Sequence, residues 1–391
     1  MGTKTCGDGT GGPSGTEVAE GLCQEILDQT FFEEHWERKP LHYCASDRGC
    51  RANRLPEALF ADDLAALVSS AIGINLKMFK SNATSDLPTP WHSYLAGYSM
   101  VVNQADRHNK VLYDLCKGLS CRHFHHVFAV VYLTPPGSQA VRVHTDDQDV
   151  ILLQVWGSKK WRLYNAPTHL PYTEEMLGKE QAVPENLIGE PEMDFTMRAH
   201  DVLYIPRGYL HEAATSSEPS LHITITVPTS DFCWGVQLVK HFNSELRSSS
   251  DRTFCQASLA EILADPDHNE ETLDAKIQDL LGSWTSSLSA DAVLSSFEQR
   301  MDKTNDGQDR LFAQLCNAGS VPLVTRSRRV RLMHGVSCCC QEGSEEAIFA
   351  RTDGRAMKMQ ITKSASKLIR ALRETPQYVR DLPSADGFER L

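Results

Sequence analysis

The sequence predicts a mainly β fold with added α structure: an antiparallel sandwich or barrel, with helices before it and helices plus a small mixed segment after it. Between about residues 98 and 230 the chain divides into short runs rich in Val, Ile and Tyr, separated by Pro and Gly, which is the pattern of antiparallel strands. On both sides of these runs, apolar residues recur every three or four positions, as in helices that bury one face. No segment repeats along the chain, so a solenoid is not expected.

The N-terminal part is expected to be a flexible tail followed by helices. Residues 1–16 are rich in Gly, Thr and Ser, and we expect them to be disordered. Helical spacing covers residues 17–36 and ends before Pro40, and a second helical pattern covers residues 56–73. The first hundred residues should therefore be mainly helical.

Six runs carry the strand pattern. They are "YSMVVNQ", "HVFAVVYLTPPG", "DVILLQVW", "KKWRLYNAP", "MDFTMRAHDVLYIPRG" and "SLHITITVPT". Gly157 and Ser158 lie between the third and fourth runs, which predicts a two-residue hairpin turn at that point. Helical periodicity returns from about residue 235 to 300, and near the C-terminus "VRLMHG" and "EEAIFART" predict strands and "KSASKLIRALRET" a helix.

Composition narrows the class of protein. Lys and Arg number 39 against 51 Asp and Glu, a net charge of −12, which argues against binding nucleic acid or anionic membranes through the whole surface. The 12 cysteines include no CxxC pair and are scattered except for the run Cys338–Cys340, which fits a reducing compartment. Neither a signal peptide nor a transmembrane helix is indicated, so the sequence predicts a soluble intracellular protein.

Two motifs carry candidate metal ligands. His144 and Asp146 stand two residues apart where a buried strand should begin, so they share a face of extended chain. His211 follows a Pro-Arg-Gly turn at the start of another predicted strand, and in a barrel the three side chains can meet. Two imidazoles and one carboxylate suit Fe(II) with open coordination positions, although zinc or manganese could use the same ligands. The alternative for either motif alone is a rim histidine hydrogen-bonded to a neighbouring aspartate.

Three further residues are candidates for binding a dicarboxylate co-substrate. An oxygenase that uses 2-oxoglutarate needs a cation or hydroxyls deep in the barrel, because an unpaired buried carboxylate is unfavourable. Lys159 shares its strand face with apolar residues, Thr224 belongs to a polar row on "LHITITV", and Tyr132 adds a phenol near the triad. The alternatives are a snorkelling lysine, a threonine on a solvated face and a core tyrosine.

Four segments together resemble a known family. "FFEEHWERKPL", "VYLTPPGSQ", "HTDDQDVILLQVWGSKKWRLY" and "DVLYIPRGYLHEA" are similar to the JmjC-type cupin oxygenases called ribosomal oxygenases, which include bacterial arginyl and eukaryotic histidyl hydroxylases. The resemblance covers about residues 20–230 and implies a double-stranded β-helix that uses Fe(II), 2-oxoglutarate and O2. The residues it assigns are the iron ligands His144, Asp146 and His211 and the 2-oxoglutarate contacts Lys159, Tyr132 and Thr224.

The resemblance also implies a domain organisation. We expect a disordered tail over residues 1–16, an oxygenase domain over 17–235, a helical dimerisation region over 236–305 and a winged-helix-like domain over 306–391. The chain stops soon after "VRDLP", so the winged helix is expected to be incomplete.

Three positions depart from the family pattern. Val130 stands where the family often has Asn, Arg142 precedes the first motif, and His200-Asp201 replaces a Gly-Asp pair. These departures bear on the choice of substrate more than on metal binding.

The expected function is that of a 2-oxoglutarate-dependent dioxygenase that hydroxylates a histidyl or arginyl residue of a ribosomal protein. A histone lysine demethylase would use the same iron site, and a non-catalytic cupin that binds chromatin or ribosomes would lack a ligand. We expect a homodimer without membrane association or direct nucleic-acid binding. The resemblance implies the nucleus or nucleolus for a eukaryotic source and the cytoplasm for a bacterial one.

Overall fold

The computed structural model describes most of the chain. The described residues are 12–48, 52–59, 61–164, 167, 169–248, 270–317, 329–330, 336–341, 345–351, 356–361, 363–374 and 377–378. The chain divides into two compact units, Met1–Cys316 and Asn317–Leu391.

Helices open the first unit. Their bounds are α1 Gly15–Glu25, α2 Gln29–Glu34, α3 Ala45–Arg48, α4 Leu55–Ala58, α5 Ala61–Ala71, α6 Pro90–Leu95 and α7 Lys110–Leu119. The Ser14 hydroxyl accepts the backbone N–H of Glu17, and the Glu17 carboxylate accepts the backbone N–H of Ser14. Because this reciprocal cap starts α1 at Gly15, the expectation of a disordered tail is wrong for residues 12–16, while residues 1–11 lie outside the described residues.

The ten strands described in the first unit form one large antiparallel sheet system. Their bounds are β1 Leu41–Tyr43, β2 Leu76–Lys80, β3 Ala83–Thr84, β4 Ser99–Val102, β5 Phe128–Thr134, β6 Asp149–Leu163, β7 Met193–Arg198, β8 Val202–Ile205, β9 His211–Ala214 and β10 Ser220–Val227. The strand order is β1-β8-β6-β10-β5-β4-β2-β3, and β7 and β9 pair with the second half of β6. β6 thereby links two sheets, and the predicted double-stranded β-helix is confirmed.

The predicted hairpin at Gly157 and Ser158 is wrong. β6 passes through both residues without turning, and just before them its register with β10 shifts: Leu221 pairs with Trp156 but His222 pairs with Gln154, so Val155 is the extra residue of a β-bulge. Gly157 has a φ of 68°, and a Cβ there would lie 1.8 Å from the carbonyl oxygen of Pro219. Only glycine fits this close approach, so Gly157 continues the strand beside Pro219, two residues after the bulge at Val155.

The bulge reverses which residues of β6 face the interior of the barrel. Before it, Ile151 and Leu153 pack against the core that the N-terminal helices cover, while Val150 and Leu152 belong to a second apolar cluster. After it, Trp161 joins Val150 and Leu152 in that second cluster. Because strand faces alternate with a period of two, an even-to-odd change of this kind requires one extra residue, which the bulge supplies.

Helices follow the sheet. They are α8 Thr229–Phe232, α9 Trp234–Ser248, α10 Glu270–Ser287 and α11 Ala290–Asn317. The expected domain boundary between residues 305 and 306 is wrong, because it falls inside α11 and the first unit extends to Cys316. The C-terminal half of α11 is fixed to α7: the Phe312 ring stacks on Tyr113 with centroids 3.9 Å apart, and the carboxylate of Asp309 lies 2.7 Å from Lys117 Nζ.

The second unit is small. Its described elements are β11 Arg329–Val330, β12 Val336–Cys339, β13 Glu346–Arg351, β14 Ala356–Gln360, α12 Lys363–Glu374 and β15 Gln377–Tyr378. The predicted strand "EEAIFART" and the helix after it are confirmed, whereas "VRLMHG" lies outside the described residues except for Val330. The winged helix stays a prediction. In the part of the chain that the structure describes, no helix has both the length and the apolar character that crossing a membrane requires.

Candidate metal centre

His144, Asp146 and His211 meet at one end of the barrel, as the sequence predicted. His144 precedes β6, and His211 is the first residue of β9. The two histidines form an isolated antiparallel bridge, in which each backbone N–H donates to the other's carbonyl oxygen at 3.0 and 2.9 Å. One ligand atom from each of the three side chains lies within 4.8 Å of the others.

The carboxylate lies between the two imidazoles. His144 Nε2 is 3.8 Å from Asp146 Oδ1, and His211 Nε2 is 3.6 Å from Asp146 Oδ2. His144 Nδ1 lies 2.7 Å from the carbonyl oxygen of Arg142, and His211 Nδ1 lies 2.9 Å from that of Tyr209. Since a carbonyl only accepts, each Nδ1 donates its proton, which leaves both Nε2 lone pairs free on the side of the carboxylate.

Electrostatics keep all three groups in the form that binds a metal. Burial, and then the neighbouring His211, lower the pKa of His144 to about 3, and burial also lowers the pKa of His211. Burial raises the pKa of Asp146, the Lys179 ammonium lowers it, and the resulting pKa lies below the usual range of a carboxylate. Near neutral pH the site therefore presents two neutral imidazoles and one carboxylate, the donor set of a facial triad.

The three predicted co-substrate residues line the same cavity as the triad. Lys159, Tyr132 and Thr224 all border it. Lys159 is 3% exposed, its Nζ lies 3.2 Å from Thr134 Oγ1, and burial lowers its pKa to about 7. Thr224 is also buried, which excludes the alternative of a solvated strand face. A buried ammonium that has only one hydroxyl partner is unfavourable by itself. An anionic ligand bound in the cavity would supply the missing negative charge.

Sequence reasoning gave no role to two buried polar side chains of this cavity. The imidazole of His222 stacks on the Tyr132 ring with centroids 4.8 Å apart, and among the described residues its Nδ1 is buried without a hydrogen-bond partner. The indole nitrogen of Trp161 is likewise buried without a partner in the described part of the chain. His222 shares the polar face of β10 with Thr224, so strand alternation could have identified it.

A third missed residue contacts the triad directly. Lys179 forms an ion pair with Asp146 through Oδ1, from a turn that lies between β6 and β7. No motif in the sequence connects Lys179 to Asp146. Only the path of the chain brings the two side chains together.

The departures from the family pattern have different outcomes. Val130 is buried and pairs with Thr224 across β5 and β10, so an apolar side chain lies beside a candidate co-substrate residue. His200 Nδ1 lies 3.0 Å from the carbonyl oxygen of Asn53, and Asp201 accepts the backbone N–H of Ala45. The His200-Asp201 pair thus connects the sheet to the N-terminal segment. Arg142 is exposed.

One family model matches part of the chain. Residues 103–232, which contain the triad and the three co-substrate candidates, match the family model of the JmjC domain.

Several proteins are similar in sequence. Ribosomal oxygenase 2 of Rattus norvegicus is 33% identical over 237 residues, which cover 56% of this chain and 49% of that protein. The bifunctional lysine-specific demethylase and histidyl-hydroxylase NO66 of Drosophila grimshawi is 39% identical over 238 residues, which cover 54% of this chain and 31% of that protein. The chain thus spans half or less of the length of these relatives.

Solved structures of a bacterial protein are also similar. The X-ray structure of Escherichia coli ycfD has a TM-score of 0.49 and 15% identity, covering 93% of this chain and 92% of that one. A structure of the ribosomal oxygenase YcfD in complex with cobalt and 2-oxoglutarate has a TM-score of 0.45 and 15% identity, covering 88% of each chain.

Proposed function

We propose, on the premise that residues 103–232 are a JmjC domain, that this chain is an Fe(II)- and 2-oxoglutarate-dependent dioxygenase that hydroxylates a protein side chain. One observation carries the proposal. Two neutral imidazoles and a carboxylate converge within 4.8 Å on one side of a cavity that also holds the buried Lys159. A facial triad beside a buried cation suits a metal that must also accept a keto acid and oxygen.

Each group has a role in this proposal. His144, Asp146 and His211 would hold the metal, and the fixed Nδ1 hydrogen bonds would keep both Nε2 atoms aimed at it. When bound, Fe(II) would activate O2 while 2-oxoglutarate supplies two electrons and leaves as succinate and CO2, so that one oxygen atom enters a C–H bond of the substrate.

The co-substrate end of the cavity would bind a carboxylate. Lys159 would donate to the distal carboxylate of 2-oxoglutarate, with the hydroxyls of Thr224 and Tyr132 as further donors. Lys159 lies 5.7 Å from the centroid of the Tyr132 ring and 5.8 Å from that of Trp161, so aromatic walls surround its ammonium. These walls exclude water and strengthen a charge-assisted hydrogen bond.

The substrate we propose is a histidyl or arginyl residue of a ribosomal protein. The name of the rat relative, ribosomal oxygenase 2, supports the ribosomal target, and the name of the fly relative supports histidyl hydroxylation. The fly name also includes lysine demethylation, which is the second candidate function. A ribosomal target would put the reaction in the cytoplasm, the nucleus or the nucleolus.

Intact-mass analysis of ribosomal proteins tests the proposal. The purified chain, Fe(II), ascorbate and 2-oxoglutarate are incubated with the candidates, and we expect a gain of about 16 mass units, one oxygen atom, on one of them. A loss of about 14 mass units per methyl group on a histone peptide would instead support the demethylase. Finding neither change, with no conversion of 2-oxoglutarate to succinate, would contradict an oxygenase and favour a binding protein.

We further propose that the chain is a homodimer that uses α10. Ile277 and Leu281 lie four residues apart on this helix and are 41% and 36% exposed, so they present apolar surface on one face. The other part of the expected interface, residues 258–269, lies outside the described residues. Light scattering should give twice 43.6 kDa, and Ile277→Asp together with Leu281→Asp should give folded monomers. A monomer mass for the wild-type chain would contradict the dimer.

A further inference from the structure

A lysine outside the proposed ligand set contacts one of the ligands. The Lys179 ammonium forms a direct ion pair with Oδ1 of Asp146, the same oxygen that lies 3.8 Å from His144 Nε2. The Lys179 side chain is 34% exposed and that of Asp146 is 20% exposed, so the pair lies at the edge of the triad and not on the open surface.

The turn that carries Lys179 is attached to the segment that carries the ligands. The backbone N–H of Thr145 donates to the carbonyl oxygen of Leu177 at 3.0 Å, and the N–H of Leu177 donates to the Thr145 hydroxyl at 2.8 Å. The N–H of Gly178 donates to the carbonyl oxygen of Gln181 at 2.7 Å and closes the turn. These bonds fix Lys179 relative to His144 and Asp146.

Gly178 makes this attachment possible. Its φ is 75°, and a Cβ at this position would lie 2.3 Å from the carbonyl oxygen of Val143 and 2.9 Å from the Cα of His144. No side chain fits there, so the turn packs backbone to backbone against the ligand segment. The backbone of Lys179 is therefore held in a fixed position, from which its side chain contacts Asp146.

The charges explain what the pair does. Asp146 is an anion between two neutral imidazoles, and a largely buried carboxylate is unfavourable without a positive partner. The ammonium of Lys179 is the positive partner that the structure places against this carboxylate. A divalent metal at the triad would put two more positive charges within a few ångströms of the same ammonium, which repels them.

We propose that Lys179 is a positioning residue for the metal site: it is the counter-cation that holds Asp146 between His144 and His211 before metal binds, and it lowers the affinity of the site for divalent metal. The metal-affinity part rests on the proposed function, whereas the part that concerns the metal-free protein does not. The ion pair between Lys179 and Asp146 would keep the three side chains together in the absence of metal. It would also let a bound metal dissociate more readily.

Lys179→Met tests both parts, because methionine keeps most of the length and apolar volume of lysine and removes the charge. We expect the metal-free variant to melt at a lower temperature than the wild-type protein. We also expect it to bind Co(II) about tenfold more tightly in calorimetry, because a unit and a divalent charge about 6 Å apart repel by about that factor even at the dielectric constant of water. Cobalt replaces iron to avoid oxidation.

Two matched variants serve as controls. Lys179→Arg keeps the positive charge and should behave like the wild-type protein in both measurements. Lys160→Met removes the ammonium of an exposed pair, in which Lys160 Nζ lies 3.0 Å from Asp194 Oδ1, and should change neither the melting temperature nor the affinity for Co(II) appreciably. In an Asp146→Asn background, Lys179→Met should no longer lower the melting temperature, because the carboxylate that it stabilises is absent.

The outcomes are distinct. A metal-free Lys179→Met variant with an unchanged melting temperature overturns the positioning role, and unchanged or weaker Co(II) binding overturns the effect on metal affinity. Weaker binding would mean that a merely structural change had disturbed the triad. If the wild-type protein bound no Co(II), the proposed function and the affinity part would both fail, and the melting temperatures would still decide the role of Lys179 in the metal-free protein.

Discussion

His144 and His211 are hydrogen-bonded to each other twice through their backbones, and their imidazole centroids lie 4.4 Å apart. The bridge joins the segment before β6 to the start of β9, so the two ligands have a spacing set by main-chain hydrogen bonds. Because the carbonyl oxygens of Arg142 and Tyr209 also fix both rings, the site is preorganised on the protein side.

The first prediction concerns the triad. His144→Ala, Asp146→Ala and His211→Ala should each bind Co(II) more than about 100-fold more weakly, since losing a ligand is more severe than losing an outer partner of a ligand. Each variant should also lose conversion of 2-oxoglutarate to succinate. His92→Ala, on an exposed helix away from the site, is the control and should leave both unchanged. Succinate formation at the wild-type rate in all three triad variants would contradict the assignment.

The second prediction concerns Lys159. Burial lowers the pKa of Lys159 to about 7, so the ammonium loses its proton as the pH rises above 7. An anion binds the charged form, and the dissociation constant of 2-oxoglutarate from the Mn(II)-loaded protein should therefore rise by up to about tenfold per pH unit above 7. Lys159→Met should weaken binding about 10- to 100-fold at pH 6.5 and remove this pH dependence.

Lys160→Met is the matched control for Lys159, because Lys160 is the next residue of β6 and faces solvent. It should retain both the affinity and the pH dependence of the wild-type protein. If 2-oxoglutarate bound Lys159→Met as tightly as the wild-type protein, Lys159 would not hold its carboxylate.

The third prediction concerns the buried carboxyl group of Asp149 at the start of β6. Burial raises the pKa of Asp149 to about 7, although hydrogen bonds from the hydroxyls of Thr229 and Tyr204 lower it. The folded pKa lies above the unfolded value of about 3.9, so the folded state binds the proton more tightly, and the stability that this group contributes is lost as the pH rises through 7. Between pH 5 and 8, the free energy of unfolding of the wild-type protein should fall by about 2 to 3 kcal/mol relative to Asp149→Asn.

Urea denaturation of both proteins at several pH values measures this difference. The comparison with Asp149→Asn cancels the contributions of the other titrating groups. A difference that stayed constant from pH 5 to pH 8 would mean that Asp149 keeps an ordinary pKa.

The fourth prediction concerns Gly157. Gly157→Ala should lower the free energy of unfolding by about 3 kcal/mol or more, because it adds a close contact with Pro219 to an unfavourable φ. Gly137→Ala is the matched control, because Gly137 has a φ of 63° with open space around it. This variant should lose only the free energy of about 1 kcal/mol that a non-glycine residue costs at a positive φ. Thermal or urea unfolding of both variants checks the difference, and equal losses would contradict the close approach.

The local pattern of the sequence was sufficient to predict that His144, Asp146 and His211 lie together and to predict most strands. A spacing of two puts His144 and Asp146 on one face, and the alternation along "KKWRLY" put Lys159 with Trp161 and Leu163, all of which are buried. These predictions succeeded because they depend only on the backbone geometry of a few consecutive residues. The hairpin at Gly157 failed, because a glycine between two apolar runs has the same local signature in a turn and in a bulged strand.

The sequence by itself determined the antiparallel β fold, the helices around it and the residues that carry the site, because periodicity and ligand chemistry are local properties. Tertiary structure alone decided that Lys179 neutralises Asp146, that the His222 ring stacks on Tyr132, and that α11 belongs to the first unit as far as Cys316. Each of these features joins segments far apart in the chain. Their contacts depend on how the strands cross and how the helices pack, and neither is encoded in the spacing of neighbouring residues.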